Sequence, residues 1–319
     1  MKYIQIALIV AIIGEVLVAC SNSDKYFKDE RYKKMIYAIS YNNDDVFDAE
    51  YEMTAEGEVV GTQPFAVSGT NPIDEDVHLT VEKASDILAV YNDLKFQDEK
   101  EKYAHELKAG EYSFPSINVD IRAGENPSYE VGKLQIRIKM TTLEKLSVDS
   151  VYFIPLRIAE ASPYEIFEDK RSVLHRIYKK NKYASLKTTT SYTSIGYADG
   201  KPITAGSKIV WPLTYNSIRA YIAGEVVYNN KDDEKTIGEN AMIITVNETN
   251  EVKVTAYNPQ STLRVETVSP SSDPDEISYN YRNNYDPSTK TFYLHYRYRK
   301  NGGKWIYICE SLQLEKVTS

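Results

Sequence analysis

Leu134-Gln135-Ile136-Arg137-Ile138-Lys139-Met140 alternates apolar and polar side chains without a break. A period of two turns one side of a strand toward a core and the other toward water. The pattern recurs in both directions. Upstream, Val77, Leu79 and Val81 alternate with His78, Thr80 and Glu82. Ile117, Val119 and Ile121 repeat it before the turn-forming Ala123-Gly124-Glu125-Asn126-Pro127. Downstream, Tyr152, Ile154, Leu156 and Ile158 extend the series, and Pro155 points to an edge strand or a bulge. Residues 172–178 alternate again, and further strands are expected at 209–215, 219–228, 242–246 and 252–257. A hairpin closes the chain. Its arms are 291–299 and 305–314, and Asn301-Gly302-Gly303 supplies the positive φ of a tight turn.

Helical signal is sparse. Ile87, Leu88, Tyr91 and Leu94 predict one or two turns, with Ser85 or Asp86 as the cap and 97–102 as a solvated loop. The reading is all-β, with two antiparallel domains in tandem. Residues 159–169, with Ser162-Pro163 and several charges, mark the boundary. The expected domains are 35–163 and 164–319. The basic run Lys179-Lys180-Asn181-Lys182 reads as a solvated turn rather than a phosphate site.

The start of the chain carries a different message. Met1-Lys2 precedes an apolar run from Ile4 to Val18, interrupted at Gly14-Glu15 and ending in Leu17-Val18-Ala19-Cys20. A positive start, a short apolar core and a small residue before the cut describe a secretory signal peptide over 1–19. The run is short for a spanning helix, which needs roughly 20 residues. Leu-Val-Ala-Cys resembles the bacterial lipobox, which implies cleavage before Cys20 and lipid on its sulfur. Residues 20–34 are polar and highly charged, the composition of a tether.

Composition narrows the function. A formal net charge of −8 argues against nucleic acid and against a polybasic hold on anionic lipid. With Cys20 lipidated, Cys309 stands alone, so no intrachain disulfide forms; in its strand it reads as a small buried hydrophobe. His78, His105, His175 and His295 are scattered singly and make no zinc pattern. Asp44-Asp45 and Asp232-Asp233-Glu234 lack an EF-hand spacing and read as solvated charges. No GxSxG elbow, P-loop or dinucleotide fingerprint occurs, and no motif singles out a pair of facing carboxylates. The expectation is a protein without catalysis, cofactor or metal.

Binding remains. The chain has 27 tyrosines against 8 phenylalanines and 2 tryptophans. Aromatic rings stack on the apolar faces of sugars, and polar neighbours take the hydroxyls. The candidates are Trp211, Trp305, Tyr279, Tyr281, Tyr285, Tyr293 and Arg297. Trp211, in Ile-Val-Trp-Pro-Leu, also suits a core. Trp305 follows the hairpin turn. Tyr279 and Tyr281 alternate as on one strand face and also suit packing. Phe292, Leu294, Tyr296 and Tyr298 form the expected core face of their strand, which turns Tyr293, His295 and Arg297 outward.

In the first domain, Val77-His-Leu-Thr-Val81, Tyr91-Asn92, Ile117-Asn-Val-Asp-Ile-Arg-Ala-Gly-Glu125 and Phe153-Ile-Pro-Leu-Arg-Ile158 resemble a Bacteroidetes lipoprotein domain of unknown function. That domain is also found ahead of some family 18 glycoside hydrolases. Lys180-Asn181-Lys182-Tyr183 and Tyr285-Asp-Pro-Ser-Thr-Lys-Thr-Phe-Tyr-Leu-His-Tyr296 resemble the domain that often follows it. The resemblance implies an immunoglobulin-like sandwich, then a β-sandwich or a lipocalin-like barrel. It further implies an outer-membrane, cell-surface lipoprotein that binds a polysaccharide or oligosaccharide beside a glycan transporter. The rival expectations are a fimbrillin-like structural or adhesive lipoprotein, with 312–317 as donor strand, and a glycan-active enzyme.

Overall fold

The computed structural model describes residues 32–41, 44–124, 131–223 and 234–315. The signal-peptide run, Cys20 and most of the tether lie outside the described residues. So do Glu125-Asn126-Pro127 of the expected turn, 224–228 of the strand expected at 219–228, and 229–233. Among the described residues, no helix is long and apolar enough to cross a membrane. Contacts divide the chain into two units. The first holds residues up to 49, 61–137 and 153–176; the second holds 50–60, 138–152 and 177 onward.

Two sheets build the first unit. One runs β10 (Glu165–Ile166), β1 (Met35–Ala38), β3 (Glu58–Val67), β8 (Val131–Lys139), β6 (Tyr112–Ser113). The other runs β2 (Val46–Glu52), β11 (Ser172–Lys180), β9 (Tyr152–Ser162), β4 (Val77–Lys83), β7 (Asn118–Ile121), with β5 (His105–Glu106) beside β9. The alternation of β8 does what its period requires: Leu134 and Ile136 are buried while Gln135 and Arg137 are exposed. Val77, Leu79, Val81, Val119 and Ile121 are buried in the same way. Each such side chain contributes roughly 1.5–3 kcal/mol by leaving water. At Gly132 a Cβ would stand 2.6 Å from Val119 Cγ1 and 2.8 Å from Ile121 Cγ1, so β8 approaches β7 only where the side chain is missing.

Two local expectations need correction. Pro155 lies on no edge, because β9 pairs with β11 on one side and β4 on the other. Its carbonyl accepts from Ala84 N at 3.1 Å, and N and O of one strand residue point the same way. The missing donor therefore faces the point where β4 has ended and helix α1 (Ser85–Phe96) begins. That helix is longer than its apolar spacing predicted, and neither Ser85 nor Asp86 caps it. The N-cap is Ala84, with no side-chain bond. Packing sustains it instead. Tyr91 meets Phe153 edge-on at 5.2 Å, and Asn92 bonds both the N–H and the C=O of Ala104, at 2.8 and 2.9 Å.

Eight strands of the second unit form a ring. In order they are β12 (Thr190–Ala198), β14 (Gly206–Thr214), β15 (Ser217–Tyr221), β16 (Ala241–Val246), β17 (Val252–Ala256), β18 (Arg264–Thr267), β20 (Thr291–Arg299) and β21 (Ile306–Leu314). β21 returns to pair with β12. β13 (Lys201–Pro202) and β19 (Asn284–Asp286) flank the ring, and α2 (Met140–Lys145) and α3 (Glu234–Asn240) complete the unit. Of the two architectures left open by sequence, the closed barrel is the one adopted.

Closure removes the free edges that invite pairing with another chain. β21 is paired on both sides, so the segment considered as a donor strand serves its own barrel through Leu314. The closing seam depends on Gly196. A Cβ there would lie 2.2 Å from the Cys309 carbonyl oxygen. Inside the ring, Tyr192, Ile218, Met242, Ile244, Phe292, Leu294, Tyr296, Ile308 and Leu312 are fully buried. The hairpin turn has the expected positive φ, 51° at Asn301 and 68° at Gly302.

The basic run at 179–182 is not the solvated turn expected, since of its four residues Lys182 alone is exposed. Lys179 is buried and donates to the carbonyls of Leu146 at 2.9 Å and Leu213 at 3.0 Å. Burial, opposed by Glu144, lowers its pKa to about 8. Asn181 donates to the carbonyls of Thr214 and Ser217 and accepts from the N–H groups of Tyr183 and Ala184. The run holds loops of the second unit together.

Candidate functional site

The register of β20 against its neighbours sorts the candidates. Phe292, Leu294, Tyr296 and Tyr298 point into the barrel, as their alternation required. Tyr293, His295, Arg297 and Arg299 point outward. Residues opposite one another across antiparallel strands share a face. One outer row therefore reads Glu266, Arg297, Tyr307 across β18, β20 and β21, and a second runs from His295 of β20 through Cys309 of β21 to Tyr197 of β12. Arg264 lies opposite Arg299, next to Trp305 where β21 begins.

Arg297 organises the first row. Its Nε and Nη2 donate to Glu266 Oε2 at 2.9 and 2.6 Å, and Nη1 donates to Tyr307 Oη at 3.2 Å. The Glu266 bond first, and then the Tyr307 bond, raises the guanidinium pKa above its ordinary value. The Cζ atoms of Arg297 and Arg299 lie 4.3 and 4.6 Å from the Trp305 ring centre, within cation–π range. Trp305 is half-buried and Tyr307 is 42% exposed. The result is an aromatic and guanidinium surface on a rigid wall.

A loop covers the adjoining row. β18 ends at Thr267; Val268 N still donates to His295 O at 2.9 Å, but His295 N is left without a backbone acceptor. Asn283 fills the gap: its Oδ1 accepts from His295 N at 2.7 Å and its Nδ2 donates to Val268 O at 2.7 Å. Asn283 has φ 51°, a left-handed conformation that Asn tolerates better than most residues. Beneath this loop His295 is buried despite its outward position, and burial lowers its pKa. Its Nδ1 is buried without a hydrogen-bond partner among the described residues. Burial raises the pKa of the Tyr281 phenol, with Tyr197, Cys309, Glu310 and Tyr293 as its electrostatic neighbours. Cys309 is buried as expected, and burial pushes its thiol up to about 11.

Not every candidate joins this surface. Tyr285 is 4% exposed, with its ring 4.9 Å from Tyr183 and 4.7 Å from Phe292, so it is a core residue rather than a ligand contact. Tyr279 and Tyr281 do not alternate on a strand. Tyr279 lies in a 3-10 turn, Ile277–Asn280, and carries Arg282 over its ring at 4.4 Å. Trp211 faces outward but belongs elsewhere. It supports Arg219, whose Cζ lies 4.4 Å from its ring centre and which forks onto Asp149 at 2.5 and 2.7 Å. Measured along β12, Trp211 is level with the start of the strand and Tyr307 with its end. That separation is roughly 30 Å. The surface therefore keeps Trp305, Tyr293, Arg297 and Tyr281, whereas no contact joins Tyr279 to it among the described residues. It adds Tyr307, Arg299, Glu266 and Tyr197, which no sequence motif singles out. Tyr307 was legible as the outward residue between Ile306 and Ile308, and Arg299 as the next outward residue after Arg297; Glu266 and Tyr197 required the register.

The inner side of the same wall is polar at one place. Glu310 is fully buried and accepts from Lys208 Nζ, Ser194 Oγ and, at 3.1 Å, Tyr296 Oη. Lys208 also donates to Tyr221 O at 3.1 Å, and Tyr296 Oη accepts from Ala223 N at 2.8 Å. Glu310 is the one fully buried carboxylate among the described residues. Its oxygens are already engaged, so the arrangement suits structure rather than proton transfer to a substrate.

Paired family models, one for an N-terminal and one for a C-terminal domain, match residues 31–165 and 171–313. A Bacteroides ovatus structure of unknown function is similar at 19% identity and TM-score 0.56, over 89% of this chain and 93% of that one. A multidomain protein including DUF1735, also from Bacteroides ovatus, is similar at 18% identity and TM-score 0.55, over 88% and 94%. An auxiliary nutrient binding protein from Bacteroides thetaiotaomicron has 18% identity and TM-score 0.49, over 86% and 93%. At such identities likeness speaks for the fold alone. No curated protein matches. The two models together span most of the chain, which belongs to the two-domain family they define.

Proposed function

We propose that this protein is a non-catalytic, lipid-anchored protein of the cell envelope that binds carbohydrate on the outer wall of its barrel. The observation that carries the reading is the Trp305 ring, held by Arg297 and Arg299 beside the exposed Tyr307 and the Arg297–Glu266 pair. An indole and a phenol offer flat apolar surface to a sugar ring, while the guanidinium, carboxylate and phenol groups take its hydroxyls. The wall is part of a closed barrel, so the groups are held in place before ligand arrives, which lowers the ordering cost of binding.

The anchor rests on the lipobox-like Leu17-Val18-Ala19-Cys20. With Cys20 lipidated, the protein would sit on the outer membrane, facing the cell surface beside a glycan transporter. Many anchored copies on one polymer would convert modest single-site affinity into avidity.

The test is affinity electrophoresis of the protein from Ser21 onward against host and plant polysaccharides, repeated with Trp305→Ala and Tyr281→Ala. Retardation by one polymer, at least tenfold weaker in Trp305→Ala, is the expected result. Absence of retardation by every polymer would overturn the reading in favour of a structural or adhesive role.

A further inference from the structure

The charge around Trp305 runs against that of the chain. The protein carries a net −8, yet Arg264, Arg297, Arg299 and Lys304 gather at this end of β18, β20 and β21. Glu266 is the acid opposite Arg297, and it is already engaged by that side chain's fork. Arg264 spends Nη1 on the carbonyls of Ser261 and Leu263. Arg299 differs from both. Among the described residues it has no carboxylate partner. Its Nε is buried without a hydrogen-bond acceptor among those residues, and its guanidinium lies over the face of Trp305. A buried donor left unmade costs roughly 1–3 kcal/mol, and it marks a guanidinium whose donors the protein itself does not use.

Resting on the carbohydrate reading, we infer that the saccharide bound at Trp305 is anionic, with a carboxylate or sulfate group received by Arg299. A guanidinium presents its N–H groups as a fork matched to the oxygens of such a group. Trp305 would hold the sugar ring while Arg299 takes the charge. The Arg297–Glu266 pair alongside remains available to hydroxyls. A neutral glycan offers Arg299 only hydroxyl oxygens, whose bonds to a guanidinium are roughly half as strong as those of an ionised oxygen.

The experiment compares polymers that differ in charge alone, using the chain from Ser21 onward. Polygalacturonate is set against its fully methyl-esterified form, and dextran sulfate against dextran. Retention by polygalacturonate or dextran sulfate, at least tenfold stronger than by the neutral counterpart, is expected, and the two arms separate carboxylate from sulfate. Arg299→Gln should remove about tenfold of that preference, whereas Lys102→Gln, on an exposed turn of the first unit, should leave it unchanged. Equal loss in both variants would mean diffuse charge and would overturn the inference. Retention of a neutral polymer that Trp305→Ala abolishes and Arg299→Gln does not would leave the carbohydrate reading standing and reject the anionic class. Retention of nothing would reject both.

Discussion

The two sides of the β20–β21 hairpin carry the same kinds of residue to opposite ends. Inward, Glu310, Tyr296, Lys208 and Ser194 form a network in which each group is engaged by another of the barrel. Outward, Arg297, Glu266, Tyr307 and Trp305 form a comparable set, but half-buried or exposed, and beside them Arg299 Nε is unsatisfied. Strand alternation assigns each residue to its side, and burial decides what polarity is for. A saturated polar cluster in a low-dielectric interior selects one packing. The same chemistry in contact with water retains capacity for a ligand. The largest expected effect tests the inner side. Glu310→Leu leaves Lys208 without its carboxylate and should cost about 3–5 kcal/mol in denaturant unfolding. Glu310→Leu with Lys208→Met should lose clearly less than the single change, since the uncompensated charge is gone. Equal losses would mean that the network is not coupled, and the contrast between the two sides would fail.

The first unit handles a buried ionisable group differently, which gives a second test. His175 is fully buried, with its Nδ1 3.1 Å from Gln63 Oε1, and burial lowers its pKa to about 3. An exposed histidine titrates near 6.5. Between these values the unfolded chain takes up a proton that the folded chain refuses. Stability is therefore intact above about pH 6.5 and falls as pH drops through the window, by about 3 kcal/mol at pH 4. Differential scanning calorimetry across pH 7 to 4 should show this slope, and His175→Gln, which keeps a polar partner for Gln63, should flatten it. An unchanged slope would place the acid sensitivity elsewhere.

The alternation at 134–140, the hairpin at its Asn-Gly-Gly turn and the inward face of β20 were legible because a period of two is a local property. Barrel closure was not, because β12 meets β21 across more than a hundred residues and only Gly196 makes the close approach at that seam feasible. Tyr285 illustrates the same limit. It stood among the aromatic candidates for a binding surface, yet β19 pairs with the start of β20 and the Tyr285 ring packs on Phe292. The misreading of Lys179 has the same origin, since its partners are the Leu146 and Leu213 carbonyls, more than thirty residues away on either side. The site was half legible. Trp305, Arg297 and Arg299 follow from turn and alternation, while Glu266 and Tyr197 enter only through cross-strand register.

The smallest expected effect lies on the outer side and sharpens the comparison most. Tyr307→Phe removes one phenol oxygen, which accepts from Arg297 Nη1 at 3.2 Å, and keeps the ring. Arg297 retains both bonds to Glu266, so its placement over Trp305 should persist. Tyr307 is exposed, and water replaces the lost acceptor, so the unfolding midpoint should move by less than about 0.5 kcal/mol. Saccharide affinity should weaken about two- to threefold, the share of one neutral hydrogen bond. Tyr296→Phe is the matched change on the inner side. It deprives Glu310 of a donor and Ala223 N of an acceptor, both buried, and should cost about 1–3 kcal/mol with saccharide affinity unchanged in the molecules that remain folded. Removing the same atom from two tyrosines on adjacent strands then reads out stability in one case and affinity in the other. If both substitutions moved stability alone, the outer side would be structural as well, and no ligand would need to be sought there.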